Sequence, residues 1–194
     1  NTGDAAFNFV WHDQHVTWKI AERLQVILKG LGRTLPQDVF DRVVADHQSM
    51  EVDIEPDIID GCAQALAKLS PRYALAIVSD AIVTPGFRLR ELLEKHGVKQ
   101  YFRGFAFSDE VGHSKPHRDM FASAAQQLSV DIPQMIHIGD RDHNDIQGPH
   151  KLGMKAVLFT ATRDVDKNNT QADAICERYA DLPGIIDQLA RERH

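Results

Sequence analysis

Three polar residues stand just past short apolar runs: Ser79 ends "ALAIVS", Lys115 lies in the loop beyond "GFAFS", and Asp140 follows "MIHIG". The chemistry they could share is that of phosphate. A hydroxyl can hydrogen-bond a phosphoryl oxygen, an ammonium can neutralise its charge, and a carboxylate can hold a divalent cation against it. In "MIHIGDRDHNDIQGP" a second carboxylate, Asp145, follows Asp140 by five residues. Singly, each residue has an ordinary structural role. Ser at a strand end commonly forms a turn, Lys before Pro is commonly solvated, and "GDRDHND" can cap a helix beginning near Asn144. Their order and their common position after apolar runs point to a site.

The elements that must position them alternate. Short apolar strands are expected at 73–79, 104–108, 135–139, 155–160 and 172–176, and amphipathic helices at 57–69, 86–96, 117–128, 144–152 and 182–192. This alternation predicts an α/β fold, a parallel sheet with helices on both faces. Ligands in such sheets sit at the carboxyl ends of the strands, where Ser79, Lys115 and Asp140 would meet. Ahead of it, helical spacing from Thr2 to about Leu31 predicts one long helix or two broken ones, ended by Gly30 and Gly32. "LPQDVFDRVVADHQ" predicts a second helix with Pro36 near its first turn. The chain therefore divides into a helical module over 1–50 and an α/β body over 51–194, with "SMEVDIEP" at 49–56 as linker.

Composition narrows the functions. The 194 residues allow one substantial core with a small appended module, and 43% hydrophobic with 26% charged residues is the balance of a packed globular protein. A net charge of −6 without a Lys/Arg run excludes a general nucleic-acid binder. No apolar stretch reaches the roughly 18 residues of a membrane span. Cys62 and Cys176 show no CxxC or Cys/His pattern, which suits a reducing, cytoplasmic setting. On a helix His12 and His15 of "WHDQH" would align without a third ligand, so they read as a solvated face. His113, His117, His143 and His150 fall near the loops of the expected site without ligand spacing.

The segments "LAIVSDA", "SDEVGHSKPHRDMF" and "HIGDRDHNDIQGPHKLGMKAV" resemble, in order and spacing, the second, third and fourth motifs of the haloacid dehalogenase superfamily of hydrolases. The resemblance runs from about Leu66 to Thr160. It implies a Rossmann-like sheet, with residues 5–48 similar to the small helical cap of family members. It further implies that Ser79 hydrogen-bonds the transferred phosphoryl group, that Lys115 stabilises its charge, and that Asp140 ligates Mg²⁺. Asp145 would orient Lys115 or the water shell of the metal. Asp80, Ala81 and Asn144, within the matched segments, complete the candidate substrate contacts. The family's first motif, a strand ending in two aspartates one residue apart, has no counterpart here. "DRD" at 140–142 belongs to the fourth motif and "DVD" at 164–166 follows the wrong strand. "NTGDAAFNFVW" looks like the continuation of that motif, so the nucleophile is expected ahead of Asn1. Three functions follow: a Mg²⁺-dependent phosphatase of a small phosphorylated metabolite, a silent binding or regulatory module keeping the anion pocket, or a 2-haloacid dehalogenase. The resemblance leaves the oligomeric state open.

Overall fold

The computed structural model describes residues 9–11 and 13–192. Residues 1–8 and His12, and with them part of the expected first helix, lie outside the described residues. From residue 13 the chain runs without regular structure to 19, and helix α1 then spans Ile20–Gly30. Its first turn is fixed by Glu22, whose Oε2 accepts the Lys19 N–H at 2.7 Å. Gly32, at φ +60°, takes the left-handed conformation that turns the chain toward α2, Gln37–Asp53. Helix α2 thus continues through most of the segment expected to be a linker. Tertiary contacts account for this: Val52 is buried, and its carbonyl accepts a hydrogen bond from Lys95 Nζ at 2.7 Å. The irregular segment begins at Ile54 and includes Pro56. Gly61, at φ +80°, cannot lie inside a helix, so α3 is Cys62–Leu69 rather than the longer 57–69.

The α/β body follows in the expected order. Strand β1 is Leu75–Ser79, α4 is Gly86–Lys95, β2 is Phe102–Phe107, and a short helix α5, Ser108–Val111, takes over where the strand was expected to end. Helix α6 is Arg118–Leu128 and β3 is Ile136–Gly139. The helix expected at 144–152 is instead a π-helical turn, Asp142–Gln147, followed by α7, Gly148–Lys151. Strands β4, Lys155–Phe159, and β5, Ala174–Cys176, precede α8, Leu182–Arg191.

All strand pairs are parallel, as expected, but they form two sheets: β1–β2, and β3–β4–β5. Among the described residues β1 pairs only with β2, and β3 only with β4. The two sheets nevertheless share their cover. Leu75 of β1 and Ile136 of β3 pack on one cluster formed by Leu69 of α3, Val157 and Phe159 of β4, and Leu182, Ile186 and Leu189 of α8. On the other side Val78 and Met135 pack against Met120 and Phe121 of α6. Along β4, Val157 and Phe159 face the α8 cluster while Ala156 and Leu158 join Ile146 of the π turn. This period of two with apolar residues on both faces is that of a strand covered on both sides. No helix among the described residues is long and apolar enough to cross a membrane.

Candidate active site

The carboxyl ends of β1 and β3 are joined through Lys115. Asp80 is the first residue past β1, and its Oδ1 accepts the backbone N–H of Lys115 at 2.8 Å. Lys115 Nζ lies 2.7 Å from Asp145 Oδ1, with side-chain exposures of 13% and 2%. The same oxygen lies 3.0 Å from His137 Nε2, and Asp145 Oδ2 accepts the Arg141 N–H at 3.0 Å. Asp145 stands in the π turn, where its N–H donates to the Arg141 carbonyl four residues back at 2.7 Å. Two glycines make room. A Cβ at Gly139 would overlap the Asp145 carboxyl group, and one at Gly148 would overlap Pro116, which follows Lys115 through a cis peptide bond.

Burial alone would push the Asp145 carboxyl up, yet the Lys115 ammonium and the His137 hydrogen bond outweigh it and hold it well below the usual carboxylate range. His137 is displaced downward, chiefly by burial and also by Lys115, against the pull of Asp145. An ionised Asp145 can only accept, so the neutral ring carries its proton on Nε2 and donates it. Asp80 is raised by burial, with the Lys115 charge and N–H opposing. Asp145 therefore holds the Lys115 side chain in place.

Ser79 lies in register with Phe107, one residue before Asp80, and is half-buried. Asp140 sits between Gly139 and Arg141, both in contact with Asp145; its carbonyl accepts from Arg163 at 2.8 Å. No hydrogen bond to its carboxylate is made by another side chain among the described residues, and the group is only half-buried. A carboxylate oxygen of this kind is a hard donor that fits Mg²⁺. Ala81 is buried and its N–H donates to Ser108 Oγ at 2.8 Å. Asn144 is also buried, with Oδ1 at 3.0 Å from His143 Nδ1.

Sequence reasoning passed over Ser108. Besides Ala81 its Oγ accepts the Thr17 hydroxyl at 2.7 Å, tying the segment before α1 to the loop after β1. Arg163 was missed as well. It pairs with Asp166, and together with Arg141, His143 and Asn144 these two line a cavity of about 480 Å³. That cavity adjoins the Asp145 cluster through Arg141 and Asn144 but is not lined by Ser79, Lys115 or Asp140. Asp13, from the segment before α1, closes one side.

The chain is similar to several known phosphatases. A glyceraldehyde 3-phosphate phosphatase of Methanopyrus kandleri is 29% identical over 81% of this chain and 66% of its own length. The same enzyme of Pyrococcus furiosus is 28% identical over 81% of the chain and 64% of its own length. A phosphoglycolate phosphatase of Escherichia coli is 24% identical over 88% of the chain and 70% of its own length. The chain thus spans less than two thirds of the length of several of these relatives. Among solved structures, a phosphatase of Thermococcus onnurineus superposes with TM-score 0.63 at 21% identity, over 84% of this chain and 69% of that one. A 2-haloacid dehalogenase of Pseudomonas syringae gives 0.66 at 20%, over 89% and 73%. At that identity both speak for the fold alone. The sequence pattern of haloacid dehalogenase-like hydrolases matches residues 6–159, most of the chain, and the protein belongs to that family.

Proposed function

We propose that the protein is a Mg²⁺-dependent phosphatase acting on a small phosphorylated metabolite in the cytoplasm. The observation that carries this reading is the half-buried Lys115, held by Asp80 and Asp145 at the point where two parallel sheets end. In this reading Lys115 lies against the non-bridging phosphoryl oxygens and compensates the charge that grows in the transition state. The Ser79 hydroxyl donates to one of those oxygens. Asp80 and Asp145 act through Lys115, one fixing its backbone and the other its ammonium. Asp140 would hold Mg²⁺, which when bound neutralises phosphoryl charge and orients the group for attack. The attacking carboxylate is assigned, as in the family's first motif, to a strand that would pair with the edges of β1 and β3 left unpaired among the described residues. It would form an aspartyl-phosphate, releasing the alcohol, and water would then release phosphate. Residues 1–50 would act as a cap over this centre, with Asn144 facing the substrate. The named substrates of the relatives, glyceraldehyde 3-phosphate and phosphoglycolate, are the first to try.

The test is phosphate release by the purified protein from a panel of phosphomonoesters. Release that requires Mg²⁺, disappears in Asp140→Asn, and falls by roughly 10²–10³ in kcat in Lys115→Ala is expected. Absence of phosphate release from every ester, or halide release from a 2-haloacid, would overturn the reading.

A further inference from the structure

A second cluster is formed by two histidines that flank Lys115 and by Asp119 of the first turn of α6. His113 and His117 stack with ring centroids 3.7 Å apart and planes 10° from parallel. Asp119 Oδ2 lies 3.6 Å from His113 Nε2 and 3.7 Å from His117 Nδ1. One ligand atom from each of the three falls within 4.8 Å of the others. Two imidazolium rings at this separation would repel each other. His117 is held below its ordinary basicity by burial first, then by His113 and His15, with Asp119 opposing. A neutral imidazole is the form that binds metals. His113 Nδ1 and His15 Nδ1 are buried without a hydrogen-bond partner among the described residues. His15, at φ +53°, is held beside the loop because its carbonyl accepts the Ser114 N–H at 2.7 Å.

We propose that His113, His117 and Asp119 bind a divalent transition-metal ion of the zinc class. Two imidazole nitrogens beside one carboxylate oxygen make a donor set suited to zinc, whereas Mg²⁺ prefers oxygen donors throughout. A tetrahedral zinc with bonds of about 2.0–2.1 Å needs donors roughly 3.3 Å apart, so the 3.6 and 3.7 Å contacts of Asp119 must shorten by about 0.3–0.4 Å. A small turn of the rings would achieve this, and His117 would exchange its long 3.3 Å contact with the Asp119 N–H for the metal. Three protein ligands leave the fourth position to water. The ligands bracket Ser114, Lys115 and Pro116, so the ion would close a ring across the segment carrying Lys115 and fasten it to the first turn of α6.

The test is independent of turnover. Metal-free, tag-free protein is titrated with Zn²⁺ by calorimetry, and with Co²⁺ by visible absorption. One ion per chain is expected, with a rise in Tm. His113→Asn and His117→Asn should each weaken binding by at least about tenfold. Asp119→Asn, altering a side chain already 52% exposed, keeps the test open should a histidine variant fail to fold; it too should weaken binding. Asp140→Asn should bind as the wild type does. The proposal falls if the wild type takes up neither ion, if the His113→Asn/His117→Asn double variant binds with unchanged affinity, or if Asp140→Asn abolishes binding.

Discussion

His137 is the residue whose protonation most directly threatens the candidate site. Its ring is buried against Asp145 and Phe121, the latter edge-on at 5.2 Å, and its basicity is depressed from the ordinary 6.5. An unfolded chain takes up a proton there as the pH falls below about 6.5, while the folded ring resists. Its share of stability is therefore complete above that pH and is lost as acid carries the solution down through the folded value. Asp145, also depressed, holds its contribution until far lower pH, so it adds nothing to a comparison of pH 7.5 with pH 5. The slope from one such group approaches about 1.4 kcal/mol per pH unit. Urea unfolding at the two pH values should show a smaller loss of stability in His137→Asn than in the wild type. Equal losses would mean that His137 is not the titrating group. His117, depressed as well, should leave a residual slope in the variant.

At the scale of elements, the loop after β1 depends on a hydroxyl from the start of α5. Ser108 is buried and serves Thr17 and Ala81 at once. Ser108→Ala would leave the buried Ala81 N–H without its acceptor, at a cost of about 1–3 kcal/mol. A drop in the denaturation midpoint of that size is expected, and an unchanged midpoint would show that water replaces the hydroxyl. The sequence could not indicate this link. Ser108 reads as the last residue of an apolar strand, and its partners are 91 and 27 positions away. What was legible was periodic: the apolar runs that became β1 to β5 and the amphipathic stretches that became α4, α6 and α8. The 49–56 segment was misread because alternating charge and Pro56 suggest a linker, whereas burial of Val52 extends the helix to Asp53. The π turn was read as ordinary helix because one extra residue in a turn leaves no periodic trace in so short a segment. Of the candidate site, Asp80, Lys115 and Asp145 do meet. The role of His137 was invisible because it looks inward from the middle of an apolar strand.

At the scale of the whole molecule, two sheets held by common helices form one body, joined at their carboxyl ends by side chains rather than by backbone pairing. The helical segment is tied to that body by several separate bonds: Thr17 to Ser108, the His15 carbonyl to Ser114, and Arg88 to Ser49 at 3.2 Å. These fastenings place the segment before α1 directly over the loops that hold Ala81 and Lys115.

The edges of β1 and β3 left unpaired among the described residues have a consequence for amide exchange. In a parallel strand successive residues turn their N–H groups to opposite sides, so a strand with one neighbour ties down only every second amide. In hydrogen–deuterium exchange of residues 1–194, β1 and β3 should alternate between slow and fast positions, whereas β4, flanked by β3 and β5, should be slow throughout its paired length. Loss of that alternation would mean that a further strand lies between the two sheets. Its persistence would show that the edges stay open to solvent, and that side chains alone bridge the two halves of the backbone.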